Sequence, residues 1–132
     1  MRDMVVTWMH LEVQGATCER CSATGAALRA LVDAESPSFA ARGIRLVLQE
    51  LRLGPFELHD SNTVLIAGRP VEYWLQAEVV HTCCPSCGCL TGNPAECRAL
   101  VVGGEIHEVL DDALLRKAMH AAANSLEAIV QD

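Results

Sequence analysis

Hydrophobic and polar positions alternate from the start of the chain. Over residues 4–13, Val5, Thr7, Met9, Leu11 and Val13 fall on one face of an extended segment and Met4, Val6 and Trp8 on the other. Apolar residues on both faces predict a central strand covered on each side. A turn at Gly15-Ala16-Thr17 leads into a helix with the apolar face Ala26, Ala27, Leu28, Ala30, Leu31 and Val32. Its end is expected near Ser36, because Pro37 disfavours helix in the residue before it. Residues 44–53 predict a second strand. Ile44, Leu46 and Leu48 share one phase and Leu51 and Leu53 the other, so a bulge is expected at Gln49-Glu50. A short buried strand over 63–67 and a helical turn over 71–80 follow. Residues 98–102 and 105–109 then form a hairpin about Gly103-Gly104. The clearest element is last. After Asp111, a good N-cap, Leu115, Met119, Ala122, Leu126 and Ile129 recur at helical spacing, with Arg116, Lys117, His120, Asn124 and Glu127 on the wet side. This order predicts an α/β domain: a mixed sheet with flanking helices, interrupted by a Cys-rich inserted loop at 81–97.

The chain has 132 residues, enough for one domain over 1–132 with its own core. A hydrophobic fraction of 51% and a charged fraction of 20% describe an ordinary folded globule. The net charge of −7, with no Lys/Arg cluster, argues against nucleic acid as partner. No apolar run approaches a membrane span, and the first residues lack a signal-peptide pattern, so a cytoplasmic protein without a membrane partner is expected.

Seven cysteines then change the picture. In a reducing compartment such clusters are more often metal or redox sites than disulfides, and an odd count leaves one thiol over from any disulfide framework. Cys18-Glu19-Arg20-Cys21 follows a strand and opens a helix. There, unpaired backbone N–H groups and the helix dipole favour the thiolate of Cys18, with Cys21 one turn on to resolve a mixed disulfide. Arg20 would add to this effect and Glu19 oppose it. The second group is Cys83, Cys84, Cys87 and Cys89, with Cys97 a short loop later. Cys84-Pro85-Ser86-Cys87-Gly88 has the spacing of a metal knuckle, in which a tight turn aims two sulfurs at one ion. Four thiolates would suit zinc, an iron–sulfur cluster or a thiophilic toxic metal. Three arrangements stay open: an independent metal or redox loop first, a shared centre of Cys18, Cys21, Cys84 and Cys87 second, and a loop pinned by a Cys89–Cys97 disulfide third.

With GATCERC, SNTVLIAGRPVEYW, the Cys-rich insert and CRALVVGGEIHEV in view, the chain resembles the thioredoxin-like superfamily over nearly its whole length. More narrowly, it is similar to a family of small, uncharacterised bacterial and archaeal thioredoxin-like proteins. The resemblance implies a thiol–disulfide oxidoreductase with Cys18 as nucleophile and Cys21 as resolver. It also implies a substrate groove at Thr17, Asn62 and Thr63, and a protein or small-molecule thiol or disulfide as partner. Asn62 stands where that pattern has a cis-proline that shields the thiols from metal, which leaves room for an ion. GATCERC also resembles, by convergence, the Gly-Met-Thr-Cys-x-x-Cys of soft-metal chaperone domains. The competing expectation is therefore a soft-metal-binding protein without catalysis, holding zinc or an iron–sulfur cluster through Cys83, Cys84, Cys87, Cys89 and Cys97. No cofactor is certain on these grounds, and enzyme status and a homodimer are left open. Among the histidines only His81, two residues before Cys83, is a candidate ligand. His10 and His107 are expected on sheet faces and His120 in solvent.

Overall fold

A computed structural model describes residues 1–131, and side chains to residue 128. Its central strand, β1 (Arg2–Leu11), pairs in parallel with β2 (Ile44–Leu53), residue for residue from Arg2 opposite Ile44 to Leu11 opposite Leu53. On its other side β1 pairs antiparallel with β3 (Thr63–Ile66), which turns back into the short β4 (Arg69–Pro70). The sheet order is β2-β1-β3-β4. As the two-faced apolar pattern predicts, β1 lies inside the sheet. Its fully buried face carries Met4, Val6, Trp8 and also His10, whereas Val5, Thr7 and Met9 are half-buried. His10, expected on a sheet face, is thus on the face that packs into the core.

The unbroken β1–β2 register leaves no bulge at Gln49-Glu50. Leu51 instead stays 46% exposed while Leu53 is buried. One edge leucine left out forfeits at most about 1.5–3 kcal/mol of burial, and a bulge would have interrupted the ladder on the central strand.

Between β1 and β2 runs α1 (Glu19–Ala41), a helix of 23 residues that continues through Pro37 instead of ending before it. The hydrogen bond that proline removes would have run to Asp33, and both residues face water, where the freed carbonyl can be hydrated. Two residues on, Phe39 is fully buried and its ring meets that of His120 at 5.1 Å. Core burial of that ring carries the helix past the proline.

A 3-10 turn at Pro55–Asp60 connects β2 to β3. α2 (Val71–Leu75) ends at Gln76 in the left-handed region, so the helical turn expected over 71–80 covers only its first half. Val79 and Val80 belong to β5 (Glu78–Cys83), where β-branched residues pair across to another strand.

The segment read as a loop at 81–97 is ordered structure: the end of β5, then α3 (Pro85–Thr91), then the start of β6 (Glu96–Val102). With β7 (Glu105–His107) these strands make a second, antiparallel sheet of order β5-β6-β7. The predicted hairpin is present, with Val102 opposite Glu105 and both turn glycines at positive φ, +57° and +85°.

The last helix, α4 (Asp112–Gln131), begins as read: Asp111 Oδ1 accepts from the Leu114 N–H at 3.0 Å. Leu115, Met119 and Ala122 are fully buried and Leu126 partly so; the Ile129 side chain lies outside the described residues. α4 packs on α1, α2 and β3, so the protein is a mixed α/β domain with helices flanking its sheet. No helix among the described residues is long and apolar enough to cross a membrane.

Candidate metal centre

Four sulfurs meet where α1 abuts the second sheet. Cys18 is the N-cap of α1, Cys84 precedes the first residue of α3, Cys87 lies in that helix, and Cys97 is on β6. Their Sγ atoms all lie within 4.8 Å of one another. Cys18, Cys87 and Cys97 have no exposed surface, and Cys84 has 3%. With metal–sulfur bonds of about 2.3 Å, a tetrahedral zinc site has sulfur–sulfur edges of about 3.8 Å, inside that limit. The Cys97 thiol donates to the Cys87 sulfur at 2.9 Å. All seven thiols are free.

Local sequence explains why the sulfurs converge. Pro85 supplies the fixed φ suited to a first helical position, and the Gly88 N–H closes the turn on the Cys84 carbonyl at 3.0 Å. A Cβ on Gly88 would lie 3.2 Å from the Asn93 carbonyl oxygen, so the chain returning to β6 needs glycine there. Alternation along β5 and β6 does the rest: Cys97 points inward while Cys83 is exposed.

The helix-start argument holds for Cys18, whose Sγ accepts from the Cys21 N–H at 3.4 Å. A hydrogen bond from the Cys21 thiol, then others from Cys87 and Cys97, hold its thiol far below the ordinary range. The donors move the other way. Cys21 is pushed up by its bond to Cys18 and by burial, Cys87 by Cys18 and Cys97, and Cys97 chiefly by Cys18. Charge therefore concentrates on Cys18 while those three keep their protons. Cys21 does not belong to the four. Its sulfur is fully buried and hydrogen-bonded to Ser61 Oγ at 2.9 Å, and that oxygen accepts from the Leu11 N–H at 3.0 Å.

Arg20 has a different part from the one its charge suggests. It is 6% exposed, and its guanidinium donates to the carbonyls of Cys97 (3.1 Å), Arg98 (3.3 Å) and Cys83 (2.9 Å), to Thr82 Oγ1 and to Glu108. One side chain of α1 thus pins both strands that carry the cysteines. Ser86 Oγ fixes the same seam by accepting from the Glu19 N–H at 3.0 Å.

Asn62 has φ +66° and is buried, its Nδ2 donating to the carbonyls of Arg98 and Glu108. Among the described residues no peptide bond is cis. The surface proposed as a groove is therefore closed at Asn62 and Thr63, the latter donating to the Asp60 carbonyl at 2.7 Å. Thr17 contacts His10 Nδ1 at 3.0 Å.

Of the metal candidates read from sequence, Cys84, Cys87 and Cys97 come together with Cys18; Cys83 and Cys89 are exposed and stand apart. His81 is also elsewhere: its ring stacks on His59 at 3.9 Å and its Nε2 donates to the His59 carbonyl. His10, Glu12 and Glu50 form a second close group. Its ligand atoms are already engaged, His10 Nε2 with Glu50 at 2.7 Å and Arg52 with Glu12 at 2.8 Å and Glu50 at 3.5 Å. A guanidinium stands where a cation would. Sequence reading gave no role to Ser61 or Glu108; no motif marks them, because both matter only through contacts made across the fold.

No solved structure matches the chain. A protein of Archaeoglobus fulgidus described as uncharacterised is 37% identical over 113 residues, covering 82% of this chain and 79% of the relative. The family model of a domain of unknown function, DUF2703, matches residues 4–119, and with that span inside its limits the chain belongs to the DUF2703 family.

Proposed function

We propose that this protein binds a soft metal ion through Cys18, Cys84, Cys87 and Cys97, on a thioredoxin-like scaffold. The observation that carries the reading is four buried sulfurs, one from the start of α1 and three from residues 84–97, within 4.8 Å of one another. Four thiolates and no oxygen ligand select zinc, an iron–sulfur cluster or a thiophilic heavy metal over magnesium or calcium. A closed set of four leaves no open position for substrate, the pattern of a structural or storage site rather than a catalytic one. The thioredoxin-like reading is supported by the run strand, CxxC, helix, parallel strand, followed by an antiparallel β3–β4 pair and a terminal helix. Buried free thiols suit a reducing compartment, hence the cytoplasm.

Exchange with a protein disulfide is less well supported. It requires the Cys18 sulfur to reach a partner, and that sulfur has no exposed surface, with Asn62 and Arg20 fastening the second sheet over it.

The test is native mass spectrometry of anaerobically purified protein, with metal analysis. The expected result is one mononuclear ion or one cluster per chain, absent from Cys84→Ser and Cys87→Ser. A metal-free protein with seven titratable thiols and no affinity for zinc or iron would sink the proposal.

A further inference from the structure

Cys18 stands in two pairings at once. It is one of the four sulfurs of the proposed centre, and it is the first thiol of the CxxC whose second thiol, Cys21, lies outside that group. Resting on the metal-centre reading, we propose that Cys18–Cys21 is an oxidation site whose disulfide withdraws Cys18 from the ion and so releases it. A disulfide sulfur is no longer a thiolate and no longer a good ligand. Cys84, Cys87 and Cys97 would then hold the ion with one ligand fewer and one negative charge fewer.

Cys21 is placed for this and for little else. It sits one helical turn from Cys18, with its own N–H aimed at the Cys18 sulfur, and is steadied by Ser61 Oγ. Because it lies outside the four, its side chain is held in reserve without competing for the ion. Complete burial of both sulfurs bars a bulky oxidant. A surface cavity of about 390 Å³ over the seam between α1 and α3, lined by Glu19, Ser86, Glu108 and Cys84, has room for a hydroperoxide.

The chemistry balances with a hydroperoxide as oxidant. The Cys18 thiolate attacks one peroxide oxygen, the O–O bond breaks, hydroxide leaves and Cys18 becomes a sulfenic acid. The Cys21 sulfur then attacks the Cys18 sulfur; the S–S bond forms and the sulfenic oxygen departs as water with the Cys21 proton. Two sulfurs have lost one electron each, and the two peroxide oxygens have gained them.

The experiment uses zinc-loaded protein with the exposed thiols silenced by Cys83→Ser and Cys89→Ser. Hydrogen peroxide is added while a chromogenic indicator reports free zinc and peptide mass mapping reports disulfides. The expected result is zinc release in step with the Cys18–Cys21 disulfide, reversed by dithiothreitol. The further variant Cys21→Ser should load the same zinc, but its Cys18 passes beyond the sulfenic acid in excess peroxide, so zinc lost there should not be taken up again with dithiothreitol; Cys21→Ala provides the same comparison if serine perturbs folding. Release as fully reversed by dithiothreitol without Cys21, or an ion retained by protein whose Cys18–Cys21 disulfide is mapped, overturns this inference alone. A reduced parent protein that never loads zinc overturns the metal-centre reading and this inference with it.

Discussion

Removing the ion should lower the melting temperature by a calculable amount. An ion that binds the folded chain and not the unfolded one stabilises it by about 4.1 kcal/mol when free metal stands at 1,000 times its dissociation constant. At about 2.1 cal/mol/K per residue, the 132 residues here carry an unfolding entropy of about 0.28 kcal/mol/K. The two figures together give a rise of about 15 °C over metal-stripped protein. The stabilisation acts across one seam, since the ligands join the start of α1 to α3 and β6. The assay is thermal unfolding by circular dichroism in a thiol reductant that does not chelate metal. One sample is in excess chelator and the other at a buffered free zinc concentration. Cys87→Ser, which keeps every backbone contact and removes one sulfur, should abolish most of the rise. A melting temperature indifferent to zinc, or an equal rise in the variant, would refute the reasoning.

Three other predictions follow from the same seam. Arg20→Leu removes the donors to the carbonyls of Cys83 and Cys97, at about 1–3 kcal/mol for each carbonyl left buried and unpaired, while the Arg98 carbonyl keeps Asn62 Nδ2; hydrogen exchange should show protection lost in β5 and β6 first, and unchanged protection there would count against the role given to Arg20. Asn62→Pro, which inserts the residue of the thioredoxin-like pattern that the sequence resembles, should destabilise by about 3 kcal/mol or more in urea titration. The reason is that proline needs φ near −65° and has no N–H, whereas Asn62 has φ +66° and donates its N–H to the Met9 carbonyl. Metal uptake should weaken in acid. The thiols of Cys87 and Cys97 are held above their ordinary range, so both keep their protons at neutral pH and must lose them to the ion. Affinity therefore rises with pH, and calorimetry in buffers of different ionisation heat should show at least two protons released; proton-independent binding around neutrality would contradict this.

What the sequence determined by itself was local. Alternation over residues 4–13 identified the central strand, Gly103-Gly104 the hairpin, Asp111 and the stripe after it the last helix, and Cys84-Pro85-Ser86-Cys87-Gly88 a tight turn. Each is a matter of neighbours a few residues apart, where periodicity and turn chemistry decide. Where local rules failed, a distant contact had overruled them: burial of Phe39 carried α1 through Pro37, and pairing with β1 kept β2 free of a bulge. The membership of the cysteine group was decided only in three dimensions. Spacing alone favours Cys18 with Cys21 and Cys84 with Cys87, yet the group contains Cys97 in place of Cys21. One helical turn directs Cys21 toward Ser61 beside β1, while strand alternation turns Cys97 inward and leaves Cys83 outside. Spacing in a sequence says that two thiols can share an ion. Which side of a strand or helix faces the other sheet depends on the packing between them, here fastened by Arg20 and Asn62.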